Sequence, residues 1–172
     1  LIRQGTDSLE VMSRWCRQNK RELFWSMRMN DTHDSGNDKL CQWKKEHPNY
    51  LMGKKGDWFP NGNFRWSAVN YELKPVRSKT LEILTDVCSR YDIDGIELDF
   101  FRHPVFFKST MQGLEADSRQ CSLMTDLIRK IRTMTETVGL RRKRPLLVAV
   151  RIPDSLGYCK ALGLDVEKWL AQ

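Results

Sequence analysis

The sequence predicts an α/β fold, an incomplete (β/α)8 barrel (TIM barrel) with parallel strands, on three observations. Apolar runs of strand length, within ELFWSMRMND (22–31), DGIELDFF (94–101) and LLVAVRIP (146–153), alternate with segments of helical periodicity. Unbroken apolar strands between helices are the pattern of parallel pairing with helices covering the sheet. Each run also turns polar toward its C-terminal end, where a barrel keeps its active site above a packed lower interior. Finally, no Gly-rich phosphate loop follows any strand, so neither a dinucleotide nor a P-loop site is supported and no cofactor is expected. An open α/β sheet is the structural alternative. Barrels of this kind take about 250 residues. The 172 residues start on a helix and stop within one, so they are expected to be a fragment, one domain part over 1–172.

Each element has its own signal. Leu9, Met12, Trp15 and Cys16 recur at helical spacing from Ser8 to Arg21, with Asp7 or Ser8 as N-cap. Residues 22–31 are aromatic-rich and end in turn formers, so they read as the first buried strand. Residues 32–65 form a long loop rich in Gly, Asn, Asp, Lys and Trp, with one short helix around 39–46; loops of that length are usually functional. WSAVNY (66–71) reads as a short strand. Pro75 opens a helix whose apolar face is Val76, Ile83, Leu84, Val87, Cys88 and Tyr91. After the DGIELDFF strand, a third helix runs from Arg119 to Val138 along Cys121, Met124, Ile128, Ile131 and Val138, with Gly139 as its C-cap. Pro145 introduces the last strand, and LDVEKWLAQ begins a further helix.

Composition removes several classes. With 40% hydrophobic residues the chain can bury one sizeable core, and nothing reads as disordered. No stretch approaches the roughly 20 apolar residues of a membrane span, and LIRQGTDSLEV reads as neither a signal peptide nor an obvious natural start. The net charge of +7 raises the question of nucleic acid, but the densest basic run, RRKR (141–144), sits between helix and strand without a stacking platform, as a solvated turn would. No nucleic-acid or membrane partner is expected. The five cysteines lack CxxC spacing, and most read as small buried hydrophobes.

Side chains alternate between the faces of a strand. Trp25, Met27 and Met29 therefore oppose Ser26, Arg28 and Asn30; Ile96, Leu98 and Phe100 oppose Glu97, Asp99 and Phe101; Leu146, Val148, Val150 and Ile152 oppose Leu147, Ala149 and Arg151. One face of each strand suits helices, and the other brings Arg28, Asn30, Glu97, Asp99 and Arg151 to a shared cleft. Unpaired buried charge costs several kcal/mol, so this set serves either a ligand or a structural ion-pair cluster inside the barrel.

FWSMRMNDTHD, VNYELKPVRSKTLEILTDVCSRYDIDGIELDFFRHP and VAVRIPDSLGYCKALGLDVEKWL, in that order, resemble the glycosyl hydrolase-like 10 family of bacterial TIM-barrel proteins, to which polysaccharide cleavage is ascribed. The resemblance implies a glycoside hydrolase with a carbohydrate partner, and the YDIDGIELDFFRHP segment as a central barrel strand. DGIELDFF is also similar to the DGxDxDxE strand of family 18 chitinases, but Phe101 stands at that motif's acid position, which argues against substrate-assisted cleavage.

Glycoside hydrolysis usually takes two carboxyl groups flanking the bond. Glu97 and Asp99, about 6.5 Å apart along one strand, approach a sugar from the same side. Asp99 is therefore assigned as nucleophile or electrostatic stabiliser, and Asp31, Asp34 or a carboxylate elsewhere as the acid. Arg28 and Arg151 pair with the charge of Asp99, while Asn30 and Asn70 hydrogen-bond sugar hydroxyls. His33 is a sugar contact or proton relay, and Arg102 and His103 line the rim. Asp31, His33 and Asp34 could ligate a metal, but such clusters more often cap loops, and one His is too few for zinc, so no metal is expected. Trp43, Trp58, Phe59, Phe64, Trp66, Tyr71, Phe106 and Phe107 offer rings for sugars, Trp58 and Trp66 foremost, or a hydrophobic cluster beneath the loop. A degenerate, non-catalytic glycan-binding barrel is the alternative function, and a partial barrel is expected to self-associate.

Overall fold

The computed structural model describes residues 3, 5–36, 39–60 and 62–171. Among these residues three parallel strands, β1 (Phe24–Arg28), β2 (Gly95–Asp99) and β3 (Leu147–Arg151), form one sheet in the order β1-β2-β3. The registers align Ser26, Glu97 and Ala149 in one row and Arg28, Asp99 and Arg151 in the next. The helices are α1 (Ser8–Gln18), α2 (Gln42–Glu46), α3 (Lys74–Arg90), α4 (Lys108–Met111), α5 (Ser118–Arg142), α6 (Leu156–Ala161) and α7 (Val166–Leu170). An α/β architecture with a parallel sheet is thus present. α3 and α5, the two crossover helices, pack on one another and so share a face of the sheet.

The core lies between that face and the helices. Ile96, Leu98 and Phe100 are wholly buried with Leu84, Cys88, Met124 and Ile131. Phe100 meets Phe106 edge-on at 5.4 Å and Trp169 at 5.6 Å between ring centroids. A second cluster of Leu51, Met52, Phe59, Trp66, Ala68, Val105 and Met111 lies beneath the long loop. No helix is long and apolar enough to cross a membrane among the described residues. The thiols of Cys88, Cys121 and Cys159 are buried and free.

Several local expectations give way to polar anchoring. Asp7 caps α1 by accepting the N–H of Glu10 at 2.9 Å. The helix is nevertheless rotated from its apolar stripe: Ser13 is buried and donates to the Asp92 carbonyl, and Arg17 pairs with Asp92 and Asp94. Leu9 and Cys16 face the core, whereas Met12 and Trp15 are more than half exposed. In α3, Thr80 occupies the buried row and Ile83 is turned out.

WSAVNY is not a sheet strand. Its main chain is taken by the loop beside it: Met52 N–H donates to the Ala68 carbonyl, Asn70 N–H to that of Tyr50, and Leu51 and Val69 make one antiparallel bridge.

α5 runs past its expected end to Arg142 and closes on Lys143, in the left-handed region at φ 55°. Gly139 is therefore inside the helix rather than its cap. A Cβ there would sit 3.1 Å from the Arg144 carbonyl oxygen, so glycine lets the helix lie against the lead-in to β3. RRKR is a clamp, not a solvated turn. Arg142 donates to the carbonyls of Cys88, Tyr91 and Ile93, satisfying the end of α3, and Arg144 pairs with Asp92 and Asp94. β3 pairs only with β2 among the described residues, and Val148 and Val150 on its expected helix-covered face are exposed.

Candidate functional site

The polar rim forms where the strands end. Arg28, Asp99 and Arg151 are register partners on three adjacent strands. Parallel pairing alone therefore aligns one acidic residue between two arginines; Arg151 pairs with Asp99, whereas the Arg28 guanidinium, also expected there, turns to Asp31 instead. Asp99 is buried; its Oδ2 accepts from Arg151 at 3.3 Å, and its Oδ1 accepts the backbone N–H groups of Phe101 and Arg102, each at 3.0 Å. The strand thus ends in an Asx-type turn. One row below, Glu97 accepts the Ser26 hydroxyl at 2.6 Å. The Arg151 guanidinium also lies 5.5 Å from the Phe101 ring centroid, a cation–π distance.

The exit of β1 supplies a second group. Arg28 donates to Asp31 Oδ2 at 3.2 Å, and Asp31 Oδ1 accepts the backbone N–H of His33 at 3.0 Å and meets His33 Nδ1. Burial pushes the Asp31 carboxyl upward, but the His33 N–H, the His33 ring and Arg28 outweigh it and hold the group at about 2. That state opposes the general-acid role expected of Asp31, because a donor must be protonated at the working pH.

The turn after Asp99 carries His103 back over this group. Its backbone is left-handed at φ 54°, and its ring meets that of His33 edge-on, with centroids 4.9 Å apart. Arg102 Nη2 lies 3.0 Å from His33 Nε2. Burial, then the nearby His33 and Arg102, lower the His103 pKa and favour its neutral imidazole. Asp31, His33 and His103 each offer a ligand atom within 4.8 Å of the others. The sequence shows RHP beyond a strand, but not that the sixty-nine intervening residues fold to bring His103 onto His33.

Other expected contacts are spent on structure. Asn30 is buried and clamps two segments: its amide donates to the Val69 and Val105 carbonyls at 2.9 and 2.7 Å, and its oxygen accepts the Val69 N–H at 2.9 Å. Asn70 is buried and accepts the Glu72 N–H. Asp34 accepts from Lys44 at 2.8 Å and from Ser67 at 2.7 Å. Trp66, Phe59, Tyr71, Phe106 and Phe107 are core side chains, and Trp43 packs with His47 and Tyr50. Trp58 is 71% exposed and can offer a ring face. The side chain of Phe64 lies outside the described residues.

These features define an α/β chain with a polar rim at the C-terminal ends of its parallel strands. No protein-family model and no curated protein matches it. Among solved structures it is similar to the galactosidase domain of alpha-galactosidase-sucrose kinase, AgaSK, at TM-score 0.49 and 12% identity, over 84% of this chain and 18% of that one. The chain thus spans less than a fifth of that neighbour.

Proposed function

We propose that the chain is part of a (β/α)8 barrel of a glycoside hydrolase acting on a poly- or oligosaccharide, with Asp99 as nucleophile or electrostatic stabiliser. The carrying observation is the row Arg28–Asp99–Arg151 across three parallel strands, at the end where barrel enzymes place their chemistry. The resemblance of the quoted segments to the glycosyl hydrolase-like 10 family supports the same reading. Arg28, Arg102, His33 and His103 then line the sugar subsite, Trp58 stacks on a sugar face, and Glu97 supports the row below Asp99.

The test is release of new reducing ends from a polysaccharide panel. Asp99→Asn abolishes cleavage while thermal unfolding shows a retained fold; undiminished turnover in that variant overturns the assignment. A second reading, glycan binding without cleavage, is favoured by Phe101 at the acid position and by the engagement of both Asp99 oxygens in hydrogen bonds within the chain. Calorimetric binding of oligosaccharides without new reducing ends selects it.

A further inference from the structure

We propose that Asp31, His33 and His103 form a binding site for a divalent first-row transition-metal ion such as Zn²⁺ or Co²⁺. The three residues come from two loops, the exits of β1 and β2, and each presents a ligand atom within 4.8 Å of the other two. Imidazole and carboxylate bind such ions at about 2.0–2.2 Å, which places neighbouring ligand atoms roughly 3 to 4 Å apart. Two imidazoles with one carboxylate suit Zn²⁺, Co²⁺, Ni²⁺ or Fe²⁺ rather than the all-oxygen preference of Mg²⁺ and Ca²⁺.

The juxtaposition is held by main-chain bonds, not by chance contact of long side chains. Asp31 accepts the backbone N–H of His33, so carboxylate and imidazole of that loop stay together. Asp99 accepts the N–H groups of Phe101 and Arg102, turning the chain so that left-handed His103 faces His33. Positive charge already sits against the same atoms: Arg28 donates to Asp31, and Arg102 lies 3.0 Å from His33 Nε2. Both guanidinium groups are on exposed side chains and can swing into water as an ion enters. Asp34, the remaining acid of the MNDTHD stretch, is held by Lys44 and Ser67, and His103 takes the place a sequence reading gives it.

The proposal does not rest on the hydrolase reading, because metal uptake is measured without turnover. Chelator-treated protein titrated with Co²⁺ is expected to take up one ion per chain, with visible d–d absorption that Zn²⁺ displaces. His33→Ala, Asp31→Asn and His103→Asn each weaken uptake about tenfold or more; Asn is chosen at 103 because it tolerates a left-handed backbone. His47→Ala, which removes the imidazole stacked on Tyr50 outside the cluster, and Cys41→Ser leave uptake unchanged. Circular dichroism confirms that each variant is folded. Absence of uptake at millimolar Co²⁺, unaltered uptake in the His33→Ala/His103→Asn double variant, or loss with Cys41→Ser or His47→Ala would overturn the site.

Discussion

Asp99 and Arg151 stand opposite one another across β2 and β3, joined by a guanidinium N–H that donates to the carboxylate at 3.3 Å. The acidic side chain is 6% exposed and the basic one 54%, so a buried anion meets its partner from the solvent side. The same carboxylate accepts two main-chain N–H groups of the turn that follows. One side chain therefore serves both the rim and the path of the chain leaving it.

Asp99→Asn and Asp99→Ala should separate in stability. Asparagine keeps an oxygen for the N–H groups of Phe101 and Arg102; alanine removes that acceptor from a part-buried turn. The expected additional loss for alanine is about 1–2 kcal/mol, read by urea denaturation. Equal midpoints for the two variants would contradict this role of the side-chain oxygen.

Asp94 should make the fold acid-sensitive. Its carboxylate accepts the Leu23 N–H at 2.8 Å and pairs with Arg17 and Arg144 at 2.9 and 2.8 Å. Burial raises its pKa, but the Leu23 N–H and Arg17, then Arg144, bring it below the ordinary value. A pKa depressed on folding contributes stability that is complete above the unfolded value of about 3.9 and is lost as pH falls through the folded one. The stability gap between the native chain and Asp94→Asn should thus be widest near pH 7 and shrink below about pH 4. Denaturant titrations at pH 7 and pH 3 measure it, and a pH-independent gap is the contrary result.

Gly163→Ala should be far costlier than Gly95→Ala. At Gly163, φ is 92° and an added Cβ would run into the Phe107 ring, which is wholly buried and cannot retreat. Backbone strain and overpacking together cost about 2–4 kcal/mol. At Gly95 the obstacle is the ring of Phe24, 37% exposed and free to swing outward, so the loss should be about 1 kcal/mol or less. Melting temperatures of the two variants test the order.

Asn30→Ala should destabilise the long loop rather than merely weaken a ligand. It removes three hydrogen bonds to Val69 and Val105 and leaves their buried main-chain groups unpaired, a cost of about 2–4 kcal/mol. Faster proteolysis between residues 50 and 70, with a lower unfolding midpoint, is the expected outcome. A variant as stable and as resistant as the native chain would return Asn30 to a role in ligand contact.

Period-two alternation was enough to place Arg28, Asp99 and Arg151 on one face, because the three strands pair in parallel at matching register. The helices were legible in position but less so in rotation. Apolar spacing on α1 points to Met12 and Trp15, whereas the ion pairs of Arg17 and the hydrogen bond of Ser13 turn that helix, and both depend on Asp92 and Asp94 far along the chain. WSAVNY has strand composition yet bonds to its own loop, a choice set by Asn30 and Tyr50 from other segments. The polar residues of MNDTHD divided in the same way. Asp31 and His33 reach the rim, while Asp34 binds the side chains of Lys44 and Ser67 and Asn30 holds main chain, and residue type cannot distinguish a hydroxyl-binding amide from a carbonyl-binding one.

The rotation of α1 leaves Val11, Met12 and Trp15 facing water on a molecule carrying +7. In dilute buffer, like charge keeps copies apart; at 0.1 M salt that repulsion reaches only about 10 Å, and the oily strip meets little opposition. Dispersal in low-salt solution and clumping in brine are then the expected behaviours of one surface, with ionic strength as the handle between them.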